Sequence, residues 1–220
     1  MFVTKSHAKP GRCLCFLLCL VLLMAAAGVS RAADSPRAAL VQAQQGIDRA
    51  DSDLFTAVVD VSSVVGRASD DLIAALREQA AKGGLEDGNI AVLLALATSL
   101  EGAGQAALLR SLLITEVKNL VAIGINGGYF AGKPDPSLSP PRNSLASVLN
   151  KMPVGRREII PGALLSQQNG KARMAATFKD PEAGALPLEL VLEQQNGGWR
   201  VVEIANVKTL FHEAAQRNRN

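Results

Sequence analysis

Two asparagine–glycine turns set among alternating apolar and polar residues constrain this chain more than any other feature. Gln168-Asn169-Gly170-Lys171 separates Ile159–Ser166 from Ala172–Phe178, and Asn-Gly supplies the positive φ angles that a two-residue hairpin needs. Leu186, Leu188, Leu190 and Leu192 then alternate with Pro187, Glu189, Val191 and Glu193, the period-two pattern of a strand with one buried face. Asn196-Gly197-Gly198 makes a second turn into Trp199–Ala205. Residues 153–207 are therefore predicted to form an antiparallel meander of about four strands, apolar on one side only.

An apolar sheet face needs a cover, and the preceding residues provide it. Residues 34–152 are rich in Ala and Leu at helical spacing. Ser35-Pro36 is a helix start, with Leu40, Ala43 and Ile47 following on one face. Phe55, Val58, Val59 and Val61 form an apolar patch around Asp60, and Ser69-Asp70-Asp71 reads as the cap of a further helix. Asn89 opens another helix, and the longest is placed at Gln105–Ile123. A loop spans 124–142, first glycine-rich and then proline-rich, before one or two helical turns at Ser144–Leu149. A loop of that composition is expected to tolerate excision of residues 127–141. A terminal helix is expected at 208–220. The fold class is α+β, with helices packed on one face of a curved antiparallel sheet of about four strands, after an N-terminal signal helix.

That signal occupies residues 1–33. Lys5, Lys9 and Arg12 precede an apolar run from Cys13 to Met24, and small residues follow at Ala25-Ala26-Ala27 and Ser30-Arg31-Ala32. A basic leader, an apolar middle and a small-residue exit are the three parts of a secretory signal. The alternative is an anchor in the inner membrane through residues 13–29, a length at the lower edge of what spans a bilayer. Under either reading the remaining 34–220, a single domain, is exported to the periplasm or beyond the cell, and the membrane is met only through the N-terminal segment.

Removing the leader changes the chemistry of what remains. All three cysteines, Cys13, Cys15 and Cys19, leave with it, so the mature chain has no disulfide, thiol nucleophile or cysteine metal site. An exported protein without disulfides suits a bacterial envelope. Four of the 23 basic residues also precede Asp34, leaving 19 against 20 acidic ones. With no surplus of positive charge, nucleic-acid binding has no electrostatic basis.

The remaining chemistry is sparse. Gly127-Gly128-Tyr129-Phe130-Ala131-Gly132-Lys133 has the spacing of a phosphate loop, but Pro134 stands where a magnesium-holding hydroxyl is required. His212 is the one histidine after the leader, so no metal site and no nucleophile–histidine pair is expected. Asp48, Asp51 and Asp53 read as helix caps and first-turn charges, and Arg156-Arg157 as a solvated pair at a strand start, with contact to an anionic partner as the alternative. No cofactor is expected. Tyr129 and Phe130, apolar rings on a glycine-rich loop, and Trp199, on a strand, are the candidate contacts to a ligand or partner. For Trp199 core packing is the favoured assignment, with a ligand contact as the alternative.

The segment Asn196-Gly197-Gly198-Trp199-Arg200-Val201-Val202-Glu203-Ile204 resembles the turn and Gly-Trp-x-Val strand near the C-terminus of the nuclear-transport-factor-2-like (cystatin-like, SnoaL-like) superfamily. Gly46-Ile47-Asp48 to Val59-Asp60-Val61 is similar to the opening of its exported bacterial members of unknown function. The resemblance implies a cavity between sheet and helices. Three functions stay open: a non-catalytic envelope domain binding a small apolar ligand or an envelope protein, a SnoaL-like enzyme with Asp60, Glu189 or Glu203 as general base, and an assembly homodimer formed through the open sheet face beside Val191.

Overall fold

The computed structural model describes residues 33–81, 103–141 and 144–210. They fall within one compact unit, Ala32–Asn220. The expected leader, the helix expected from Asn89, and His212 with most of the expected terminal helix lie outside the described residues.

Helix α1, Pro36–Asp48, starts where Ser35 accepts a hydrogen bond from the Ala38 amide, with proline in its first turn. Its buried face carries Ala39, Leu40, Ala43 and Ile47. The small alanines let the helix axis come close to the sheet. Helix α2, Ser52–Val58, is capped by Asp51, which accepts from the Leu54 amide at 2.9 Å. Gly46 makes room for it, since a Cβ there would stand 2.8 Å from the Phe55 nitrogen.

Helix α3, Val61–Ala81, begins one residue after Asp60, whose carboxylate accepts from the Ser63 amide (3.0 Å) and hydroxyl (2.8 Å). The helix therefore starts eight residues before the cap expected at Ser69-Asp70-Asp71. Ser69 lies inside it, 3% exposed, and its hydroxyl donates back to the Gly66 carbonyl at 2.9 Å. A serine that can bond within its own helix loses its value as a cap signal. Helix α4, Ala103–Asn126, lies against α3, where Arg110 donates to the Gly66 carbonyl at 2.7 Å and pairs with Asp70. A 3-10 helix, Leu145–Lys151, packs on α4, with the Leu145 amide bonded to the Glu116 carboxylate. No helix among the described residues is long and apolar enough to cross a membrane.

The sheet is a four-stranded antiparallel meander in the order β1-β2-β3-β4, formed by Glu158–Gln168, Lys171–Asp180, Gly184–Gln195 and Gly198–Ile204. Asn169, Gly170, Asn196 and Gly197 all have positive φ, the backbone of two-residue primed turns. The inner face presents Ala172, Met174, Ala176, Leu190, Leu192, Trp199 and Val201, which meet Ala39, Leu40 and Ala43 of α1 and Val58 of α2. The space between α1 and the sheet is thus filled with side chains. The α+β class and the helix-covered meander agree with the sequence reading.

The two sheet edges are closed differently. On the β4 side, Val59 forms a parallel bridge to Val201, the Asp60 amide donates to the Val201 carbonyl, and the Trp199 amide donates to Ala33. On the β1 side, Pro161 and register shifts on either side of Leu164 interrupt the strand. Proline and bulges blunt a free edge against pairing with another chain.

Candidate functional site

The site forms where α4 ends. Ile125 is fully buried and fixes the last turn, and the chain then doubles back over it. Gly124 and Gly127 are the seats of two aromatic rings. A Cβ on Gly124 would come within 2.5 Å of the Phe130 ring, and one on Gly127 within 2.9 Å of the Tyr129 ring. The Phe130 amide donates to the Gly124 carbonyl, and the Lys133 amide to Gly128, whose φ is +70°. These glycines therefore shape a compact hydrophobic turn, with no phosphate-loop geometry to account for.

The turn is tied to the start of β1. Ala131 and Arg156 form an antiparallel bridge, and the Arg157 amide donates to the Phe130 carbonyl at 2.8 Å. These ties, with the rings packed beneath them, overturn the expectation that residues 127–141 can be excised freely. Arg157 is the larger correction. Its side chain is 3% exposed, where a solvated surface charge was expected. Nε donates to Asp180 Oδ2 at 2.9 Å, and the guanidinium carbon sits 5.9 Å from the centre of the Phe130 ring. Nη1 reaches the Tyr129 and Gly155 carbonyls at 3.4 Å each, and Nη2 reaches the Pro153 carbonyl at 3.5 Å. Its neighbour Arg156 behaves as expected, exposed and paired with Asp48 and Glu158.

Asp180 holds two structures together. Its Oδ1 accepts from the Glu182 and Ala183 amides in the β2–β3 turn, while Oδ2 faces Arg157. Burial pushes this carboxyl up, but the two amides and the Arg157 charge outweigh burial and hold it below the ordinary aspartate value.

Beside Arg157 lies a pocket of about 180 Å³, lined by Tyr129, Pro134, Leu149, Asn150, Met152, Pro153 and Val154 as well. Its wall is mostly apolar. The Tyr129 hydroxyl touches the Leu138 carbonyl at 3.5 Å and Asn150 Oδ1 at 3.4 Å, both at the outer limit of hydrogen bonding. Such a wall can hold one apolar group with a hydrogen-bond acceptor beside it.

A second, wider concavity of about 740 Å³ opens over the outer face of the sheet, where Lys171, Arg173, Val191 and Glu203 line it. Its charges are matched within the chain. Arg173 pairs with Glu189 at 2.6 Å, Lys171 with Glu193 at 3.3 Å, and Arg67 with Glu203 at 2.7 Å.

Of the three candidate contact residues, Tyr129 lines the small pocket and Phe130 lies beneath Arg157. Trp199 is 5% exposed in the core against α1, separate from both. The carboxylates considered as general bases are engaged elsewhere. Asp60 caps α3: burial pushes it up, but its bonds from Ser63 and the charge of Arg200 hold it below the ordinary value. Glu189 and Glu203 are in outer-face ion pairs. No group of three or more His, Cys, Asp or Glu among the described residues could hold a metal ion.

Sequence reasoning missed Arg157, although a signal exists. The hairpin at Asn169-Gly170 brings the start of β1 beside the end of β2, which places Arg157 near the acidic residues Asp180 and Glu182, while the choice of Asp180 depends on the interruptions in β1. Comparison with protein-family models, curated proteins and solved structures gives no match.

Proposed function

We propose that the chain is an exported, non-catalytic domain of the cell envelope that holds a partner protein by taking one of its apolar side chains into the Tyr129–Arg157 pocket. The observation that carries this reading is the pocket itself. At about 180 Å³ it falls below the roughly 300–1,000 Å³ of sites that enclose a drug-sized ligand, so it suits a group of side-chain size. Its aromatic and apolar lining around a buried arginine has the composition of an interface anchor site. The basic, apolar and small-residue stretches of residues 1–33 support export. The consecutive meander, together with Val59-Asp60 set against β4, supports a nuclear-transport-factor-2-like fold. Engagement of Asp60, Glu189 and Glu203 in capping and ion pairs weighs against the SnoaL-like enzyme.

The test is native mass spectrometry of the full-length chain, expressed with its leader and purified from the envelope fraction beside a Val154→Glu variant. Val154 is 73% exposed at the pocket rim, so a carboxylate there leaves the core intact. The chain is expected to lose its leader and carry additional protein mass that the variant lacks. The same complex in both proteins, or a bare chain in both, contradicts the reading.

A further inference from the structure

We propose, resting on the pocket being a partner's anchor site, that it selects an uncharged apolar residue within a peptide chain, whose main-chain carbonyl accepts from Arg157 and Tyr129, and that it rejects a chain-terminal carboxylate. The Arg157 donors are unequally satisfied. Nε has a good partner in Asp180 at 2.9 Å, while Nη2, with two N–H groups, has a single contact at 3.5 Å. The Tyr129 hydroxyl is similarly loose, at 3.4 and 3.5 Å. Two donors at the limit of their range in one small pocket leave room for an incoming oxygen.

The charge of that oxygen follows from Asp180. The guanidinium already faces one carboxylate, so a second would set two anions against one cation. It would also be buried among Leu149, Met152, Pro134 and Pro153, which cannot solvate it. A peptide carbonyl accepts the same hydrogen bonds without that cost. The apolar lining then takes the side chain of the same residue. This pairing of a main-chain acceptor with an adjacent apolar side chain is the general form of extended-peptide recognition.

Two probes with one side chain separate the alternatives. Acetyl-leucine N-methylamide and acetyl-leucine are titrated into isotopically labelled protein purified from the envelope, and the backbone amides of Tyr129, Asn150 and Val154 are followed by NMR. The amide is expected to give saturable shifts at these three positions, with the carboxylate about tenfold weaker. Tyr129→Phe, which keeps the ring on Gly127, is expected to weaken amide binding by about two- to tenfold, the worth of one neutral hydrogen bond. Carboxylate binding as tight as the amide overturns the inference, and so does an unchanged affinity in Tyr129→Phe. Absence of binding by either probe overturns it as well. In that case a complex that still depends on Val154 leaves the partner reading standing, whereas loss of that dependence removes both.

Discussion

The two concavities of this domain differ in a way that volume hides. The outer-face concavity is about four times larger, yet its ion pairs, Lys171 with Glu193, Arg173 with Glu189 and Arg67 with Glu203, already satisfy one another. A ligand there would have to break matched pairs before making contacts of its own. The pocket at Tyr129 is small, but its donors are stretched and its wall is apolar. Capacity to bind follows unspent chemistry rather than space. The same contrast extends to stability, because the arginine beside the small pocket is buried and those on the outer face are wet.

Arginine substitutions press this contrast hardest. Arg157→Met leaves Asp180 facing an apolar side chain and frees the 127–133 turn, and is expected to cost about 3–5 kcal/mol, the range for breaking a buried pair. Arg173→Met on the outer face, where the arginine side chain is 53% exposed, is expected to cost under about 1 kcal/mol. Urea midpoints of the two variants measure the difference. Equal losses would erase the distinction between the two regions.

A smaller effect is expected from Gly124→Ala. Alanine favours a helix interior over glycine by about 1 kcal/mol. Here its Cβ would run into the Phe130 ring, and overpacking of that kind costs about 1–3 kcal/mol. The clash is expected to win, giving net destabilisation and displaced Phe130 ring resonances. A stabilised variant would show that the ring is not seated on Gly124.

The smallest effect appears in acid. Asp180 has a depressed folded value, so its contribution is complete above the unfolded aspartate value of about 3.9 and is lost as pH falls through the folded value. Glu193 is also depressed: burial raises it, but Lys171 and Arg67 outweigh burial. Asp180→Asn is expected to flatten the loss of stability below about pH 4 more than Glu193→Gln does, because Glu193 is paired with exposed cations. Urea titrations at neutral and acid pH decide this, and a larger flattening from Glu193→Gln would reverse the ranking.

The sheet was legible because its signals are local. Alternation at Leu186–Glu193 assigned the two faces, and the Asn-Gly turns assigned the pairings beside them. Register farther from the turn was not legible. An uninterrupted ladder counted back from Gln168 and Lys171 would put Glu158 opposite Pro181, whereas the interruptions in β1 put it opposite Lys179. Those shifts help bring Arg157 to Asp180; Pro161-Gly162 marks an irregularity in β1 but does not fix how far the register moves. The burial of Arg157 also needs the turn at 127–132, about 25 residues upstream and brought over it by the end of α4. A pair of adjacent arginines looks the same in sequence whether one or both are solvated. Tyr129 was found because a ring on a glycine-rich segment is costly to expose. Trp199 packs in the core, as favoured for a tryptophan on a strand with one covered face.

The most direct test of the account places a photo-reactive amino acid at one of two positions in the full-length chain, in cells that export it. One replaces Val154 at the rim of the small pocket, and the other replaces Gln168 on the wall of the outer concavity. A discrete protein adduct that Tyr129→Ala abolishes is expected from position 154, and none from position 168. An adduct from 168 with none from 154 would contradict it, and would move the partner to the open face of the sheet.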